Sequence, residues 1–86
     1  MELKNKLEEY TEHEFLTLLI AIFDGKYSSE EEHDAIVNNI ISTSEHPKGT
    51  DIIYYPEDGI EDSPQGVLKT IKDWRAKNGK PGFKPE

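Results

Sequence analysis

Asp51, Tyr54 and Tyr55 set a carboxylate three residues ahead of two adjacent tyrosines, in a segment bracketed by Pro47-Lys48-Gly49 and Pro56. The chemistry they suit is recognition rather than reaction. Tyrosine presents a large, stiff, amphipathic surface that orders at little entropic cost, so a tyrosine pair beside a carboxylate is a typical anchor for a protein partner. The proline and glycine at the segment's ends require it to be short and held on both sides. Half of the chain's four tyrosines fall here.

Groups that could carry out a reaction do not assemble in the sequence. His13, His33 and His46 sit in unrelated contexts, without the H-x-x-x-H or H-E-x-x-H spacing that puts two ligands on one helix face. His33 reads as a surface residue, and His46, next to Pro47, as one that packs or hydrogen-bonds where a helix ends. No glycine-rich phosphate loop occurs, and no serine has a histidine base at a recognisable spacing. The stretch Glu57-Asp58-Gly59-Ile60-Glu61-Asp62 lacks the alternating oxygen ligands and terminal glutamate of a calcium loop and reads as a solvated acidic loop. The expectation is a binding module that is not an enzyme and needs no metal or cofactor.

Charge says what such a module would bind. Eighteen acids against ten bases give a formal net charge of −8. Asp24, Glu30, Glu31, Glu32 and Asp34 face only Lys26 in one stretch, and Asp51, Glu57, Asp58, Glu61 and Asp62 face no base in the next. These acidic stretches flank the tyrosines. The balance reverses in the last part of the chain, where Lys69, Lys72, Arg75, Lys77, Lys80 and Lys84 oppose Asp73 and Glu86. Charge runs also serve simply as solvated surface, but an acidic face repels nucleic acid and anionic membrane and steers a basic partner towards itself. The absence of cysteine excludes a disulfide framework and fits a reducing cytoplasm. No apolar region follows the first charges, and the longest mainly apolar run, Phe15 to Phe23, is too short to span a bilayer, so a soluble intracellular protein is expected. Its 86 residues make one domain with a small core.

The elements that must position these residues are helices. Thr11-Glu12-His13-Glu14 is a capping box with Tyr10 placed for a hydrophobic staple, and Phe15, Leu18, Leu19 and Ile22 recur at helical spacing up to Asp24-Gly25. This predicts a helix over 12–24. A second helix, over 30–44, begins at Ser28 or Ser29, uses three glutamates at its positive end, carries Ile36, Val37, Ile40 and Ile41, and is ended by Pro47. A last helix has Ser63 as cap, Pro64 in its first turn, and Val67, Leu68, Ile71 and Trp74 on one face up to Asn78-Gly79, with Lys69, Lys72, Arg75 and Lys77 on its outer faces. Propensity alone would make Ile52-Ile53-Tyr54-Tyr55 a strand, but no second alternating run exists to pair with it. A one- or two-turn helix near 50–56 fits better, with Ile52 and Ile53 inward and Asp51, Tyr54 and Tyr55 outward. The expected fold is all-α, a small antiparallel four-helix bundle with a very short third helix.

Several segments also carry a family resemblance: Glu45-His46-Pro47-x-Gly49-Thr50-Asp51-Ile52-Ile53-Tyr54-Tyr55-Pro56, Asp62-Ser63-Pro64-x-Gly66, Trp74-Arg75-Ala76-x-Asn78-Gly79-Lys80-x-Gly82-Phe83-Lys84, and the opening Met1-Glu2-Leu3-Lys4 with Tyr10-Thr11-Glu12-x-Glu14-Phe15. Together they resemble the immunity proteins of DNase-type colicins, pyocins and klebicins. The likeness implies a four-helix antitoxin that binds the basic C-terminal H-N-H endonuclease domain of a cognate bacteriocin as a heterodimer. It would bind beside the active cleft, protecting the producing cell by bulk and by acidic surface lying where DNA would pass. It further implies that Thr50, Asp51, Tyr54, Tyr55 and Pro56 supply shared binding energy. Glu30, His33, Asp34, Val37, Asn38 and Ile41 would select the partner, with Phe23, Asp24, Tyr27, Ser28 and Ser29 at the edge. His33 and Asp34 replace an aliphatic pair, and Ile41 an acid, found in some relatives, which leaves the toxin's identity open and makes His33 a pH-sensitive contact if Asp34 or a toxin carboxylate lies near it. The reading from another class is a general acidic DNA mimic that occupies any nuclease cleft; it would hardly need the tyrosines.

Overall fold

The computed structural model describes residues 3–55, 59 and 61–85. A single 3-10 turn, Leu7–Glu9, precedes four helices: α1 Glu12–Asp24, α2 Glu30–Ser44, α3 Asp51–Tyr54 and α4 Pro64–Lys77. Among the described residues there is no strand. The all-helical expectation and the four spans agree with the sequence reading, while the 3-10 turn was not foreseen.

Local chemistry explains each boundary. The Thr11 hydroxyl accepts from the Glu14 amide at 3.1 Å and the Glu14 carboxylate accepts from the Thr11 amide at 2.9 Å, so two donors of the first turn are satisfied reciprocally. Tyr10, just outside this cap, packs edge-on against Phe15 at 5.5 Å and closes the staple. Gly25 ends α1 at φ 70, where a residue without Cβ carries no penalty. Ser29 is the cap of α2, its hydroxyl accepting from the Glu32 amide at 3.1 Å. Ser63 does the same for α4 through the Gly66 amide. Gly66 has a second task, since a Cβ there would lie 1.9 Å from the Glu61 carbonyl oxygen; only glycine lets the incoming loop lie on α4.

Packing is organised around α1, which lies against both α2 and α4, while α3 rests on α4. Phe15, Leu18 and Leu19 of α1 meet Ile36 and Ile40 of α2, Ile52 and Ile53 of α3, and Val67 and Ile71 of α4 in one buried cluster. Four residues are far too few for a stable isolated helix, so α3 persists because its two isoleucines are only 4% exposed. The terminal segments are tied to this core by Tyr10. Its hydroxyl donates to Asn39 Oδ1 at 2.6 Å and accepts from the Lys4 amide at 2.8 Å, while its carbonyl accepts from the Lys84 amide at 2.9 Å. Phe83 follows the tail inward, 5.3 Å from the Phe15 ring.

Arg75 departs from the sequence reading. Placed there on an outer face of α4, it is 2% exposed. Its Nη1 donates to the carbonyls of Thr43 at 3.1 Å and Ser44 at 3.2 Å and to Glu45 Oε2 at 3.0 Å, and its Nε donates to the Pro81 carbonyl at 2.9 Å. The last carbonyls of a helix have no amide partner within it, and at Thr43 and Ser44 a guanidinium satisfies them with charge of the favourable sign. The stop of α2 also differs: Glu45, at φ 60, takes the left-handed cap position two residues before Pro47. Its carboxylate, held by Arg75 and then by Lys80, titrates below the usual glutamate range. Replacing Arg75 by methionine strands these carbonyls, so R75M should lower unfolding free energy by about 2–4 kcal/mol in urea denaturation. A loss under about 1 kcal/mol would contradict this role.

Candidate docking surface

The segment after α2 is a chain of short-range hydrogen bonds. The Ser44 hydroxyl accepts from the His46 amide at 3.3 Å, His46 Nδ1 accepts from the Lys48 amide at 3.1 Å, and the Gly49 and Asp51 amides donate to the carbonyls of His46 and Lys48. Because a backbone amide can only donate, His46 Nδ1 is unprotonated and the ring proton sits on Nε2. The imidazole lies 5.2 Å from the Trp74 ring of α4, whose face Lys80 Nζ approaches to 5.8 Å. Gly49, at φ +55, turns the chain into α3, and a Cβ there would come 3.9 Å from Ile41 Cγ2. The turn thus passes beside the last apolar residue of the α2 stripe.

Helix α3 sorts its side chains by depth. Ile52 and Ile53 point into the core, while Thr50 and Asp51 are exposed, Tyr54 is 49% exposed and Tyr55 is 76% exposed. Two neighbouring tyrosines displayed on a buried aliphatic base are what the sequence spacing predicted. Pro56 lies outside the described residues, as do Glu57, Asp58 and Ile60 of the acidic loop.

On α2, Glu30, Asp34 and Asn38 are exposed, His33 and Ile41 are half-buried, and Val37 is only 6% exposed. These residues recur at intervals of three and four and so share one stripe. Val37 and Ile41 form its apolar floor, and the polar residues stand around them. His33 is held on two sides, its ring 4.8 Å from Tyr27 and its Nδ1 3.2 Å from Asp34 Oδ1. Ser28 donates to Glu32 at 2.7 Å, Ser29 is committed to its cap, Asp24 is exposed, and Phe23 is half-buried against the core. The turn leading to α3 therefore passes the α2 stripe at Ile41, and the edge residues extend from the other end of the stripe. No lysine or arginine occurs between Gly49 and Tyr55, and Lys26, 4.0 Å from Asp24, is the base nearest in sequence to the start of α2.

Two residues important to this surface were not selected from sequence. Arg75 fixes the end of α2, and Glu45 starts the turn to α3. The signal for Arg75 was present, because Val67, Ile71 and Arg75 are spaced by four and so fall on the buried face of α4.

A family model described as colicin immunity protein / pyocin immunity protein matches residues 7–77. The chain belongs to the colicin and pyocin immunity protein family. The pyocin-S1 and pyocin-S2 immunity proteins of Pseudomonas aeruginosa are each 46% identical to it over 85 residues, covering 95% of this chain and 98% of theirs. Among solved structures, a chain in the crystal structure of the mutant nuclease domain of pyocin S8 with its cognate immunity protein superposes with a TM-score of 0.89 at 51% identity, covering 95% of this chain and 100% of that one. A chain of the pyocin AP41 DNase–immunity complex superposes with a TM-score of 0.86 at 35% identity, covering 96% and 100%. The family agrees with the resemblance read from sequence.

His46 gives this family member's turn a pH dependence. Burial first, and the nearby Lys48 charge second, lower its pKa from the usual 6.5. The unfolded chain therefore binds the proton more readily, and stability from this site is complete above about pH 6.5 and is lost as pH falls through that value towards the folded pKa. Urea unfolding between about pH 7.5 and 5.5 should show stability falling with pH, and His46→Gln should flatten the curve. An unchanged slope in the variant would refute the assignment. The lowered pKa values of Glu14, Glu45 and Asp73 act in the same direction but in a more acidic range, below 4.5.

Proposed function

We propose that this chain is the immunity partner of a DNase-type bacteriocin. It binds the basic C-terminal nuclease domain of a cognate colicin, pyocin or klebicin as a heterodimer, and acts as an inhibitor that performs no reaction itself. The observation that carries the reading is the pair of exposed tyrosines on α3, anchored from below by buried Ile52 and Ile53 and adjoining an acidic stripe. Support comes from relatives whose structures were solved as nuclease–immunity complexes.

Tyr54, Tyr55, Asp51 and Thr50, with Pro56 beyond the described residues, supply binding energy common to several toxins. Each buried tyrosine ring contributes on the order of 2 kcal/mol or more. Glu30, His33, Asp34, Val37, Asn38 and Ile41 choose among toxins through fit and repulsion, with Phe23, Asp24, Tyr27, Ser28 and Ser29 at the margin. The inhibitor sits beside the nuclease cleft, so DNA is kept out by bulk and by carboxylates placed along the phosphate path. The same charge accelerates association with a basic nuclease. The chain works as one binding domain over residues 1–86, in the cytoplasm of the producing cell, without nucleic acid, membrane or cofactor.

Titration calorimetry against a panel of DNase-type bacteriocin domains, coupled to DNA cleavage, tests this. One domain should be bound tightly and inhibited, and Tyr54→Ala or Tyr55→Ala should each weaken binding by about 2 kcal/mol or more with unchanged folding. A general DNA mimic predicts instead salt-sensitive binding to unrelated nucleases and little response to either alanine. That outcome would reject the proposal.

A further inference from the structure

Opposite in charge to the acidic stripe, the end of α4 and the tail enclose an open cleft of about 440 Å³. Its lining includes Lys72, Arg75, Lys80 and Lys84 against one carboxylate, Glu12, in a chain whose net charge is −8. Glu12 is already joined to Lys72, and Glu45, outside the lining, to Arg75 and Lys80, so the bases outnumber the carboxylates that reach them by four to two. The apolar part of the wall comes from Ala76 and the ring of Phe83, with the aliphatic stems of the lysines beside them. The volume lies within the range of small-molecule sites.

Arg75 supplies an independent observation. Its Nε and Nη1 are committed to the tail and to the end of α2, but Nη2 makes no hydrogen bond. Among the described residues no buried side-chain nitrogen or oxygen lacks a partner, so Nη2 is in contact with solvent although the residue is 2% exposed. Arg75, a buried guanidinium with a donor to spare, thus belongs to the lining of a concave surface with a cationic rim and an apolar wall.

We infer that this cleft binds a small amphiphilic carboxylate. The carboxylate oxygens accept from Arg75 Nη2 and interact with Lys72 and Lys80, and the apolar body lies on Phe83 and Ala76. A free carboxylate-bearing molecule is the occupant, because an inorganic anion would leave the apolar wall unused. The inference is independent of the docking surface on α2 and α3, which lies on other elements.

Titration of the full chain with sodium octanoate, followed by amide chemical shifts, tests it. Saturable shifts confined to the neighbourhood of Leu7, Ala76, Gly82 and Phe83 are expected, with a Kd on the order of 1 mM for a ligand of this size and at least about tenfold weaker binding of acetate. Ala76→Glu, at an exposed helical position, places a competing carboxylate in the cleft and should weaken octanoate at least about tenfold while leaving distant amide shifts unchanged. Lys84→Glu is the second variant, expected to weaken binding in the same direction. Shifts that stay linear to about 20 mM, that acetate reproduces at equal concentration, or that persist in both variants would overturn the inference.

Discussion

The carbonyls in the last turn of α2 need donors that the helix cannot provide, and Arg75, reaching across from α4, provides them. One side chain thereby determines where α2 ends, holds Glu45 in its left-handed cap, and ties the tail to the same point through Pro81. The turn and the short helix beyond it are built on that end. His46 closes the turn with the Lys48 amide, Gly49 passes beside Ile41, and α3 emerges with its isoleucines aimed inward. A four-residue helix cannot choose its own orientation, so the direction in which Tyr54 and Tyr55 point follows from the burial of Ile52 and Ile53 and from the turn that begins at the end of α2.

This construction suits recognition by a rigid surface. The tyrosines would lose little freedom on docking, and the polar stripe of α2 surrounds a floor made by buried Val37 and half-buried Ile41. Tyr27 and Asp34 restrain His33 before any partner arrives. Charge is divided along the fold: acids gather at the start of α2 and around α3, and bases gather on α4 and the tail, where Lys69 is paired with Asp73 and Lys72 with Glu12. A basic nuclease would meet the acidic side first, and the field that draws it in is the one that repels DNA.

Much of the fold was legible because its signals are local. The Thr11–Glu14 box, the Ser29 and Ser63 caps, Pro64, and the stops at Gly25 and Gly79 act within a turn of their own position and needed no knowledge of neighbours. The short α3 was legible by elimination, since a strand had nothing to pair with. Arg75 was misplaced because a basic residue in a last turn also satisfies the dipole from the outside, and only its spacing from Ile71 pointed inward. Glu45 was missed for a related reason: a non-glycine left-handed cap is selected by the guanidinium that meets it, which is a tertiary event. Val37 lies on the apolar face that its spacing predicts, and its depth depends on how α1 packs against α2.

The most direct measurement is amide hydrogen exchange of the chain free and bound to its cognate nuclease domain. Docking through α2 and α3 predicts added protection over Glu30–Ile41 and Thr50–Tyr55, with the outer face of α4 from Lys69 to Lys77 unchanged. Protection gained on α4 and the tail, with Thr50–Tyr55 exchanging as in the free protein, would contradict the account.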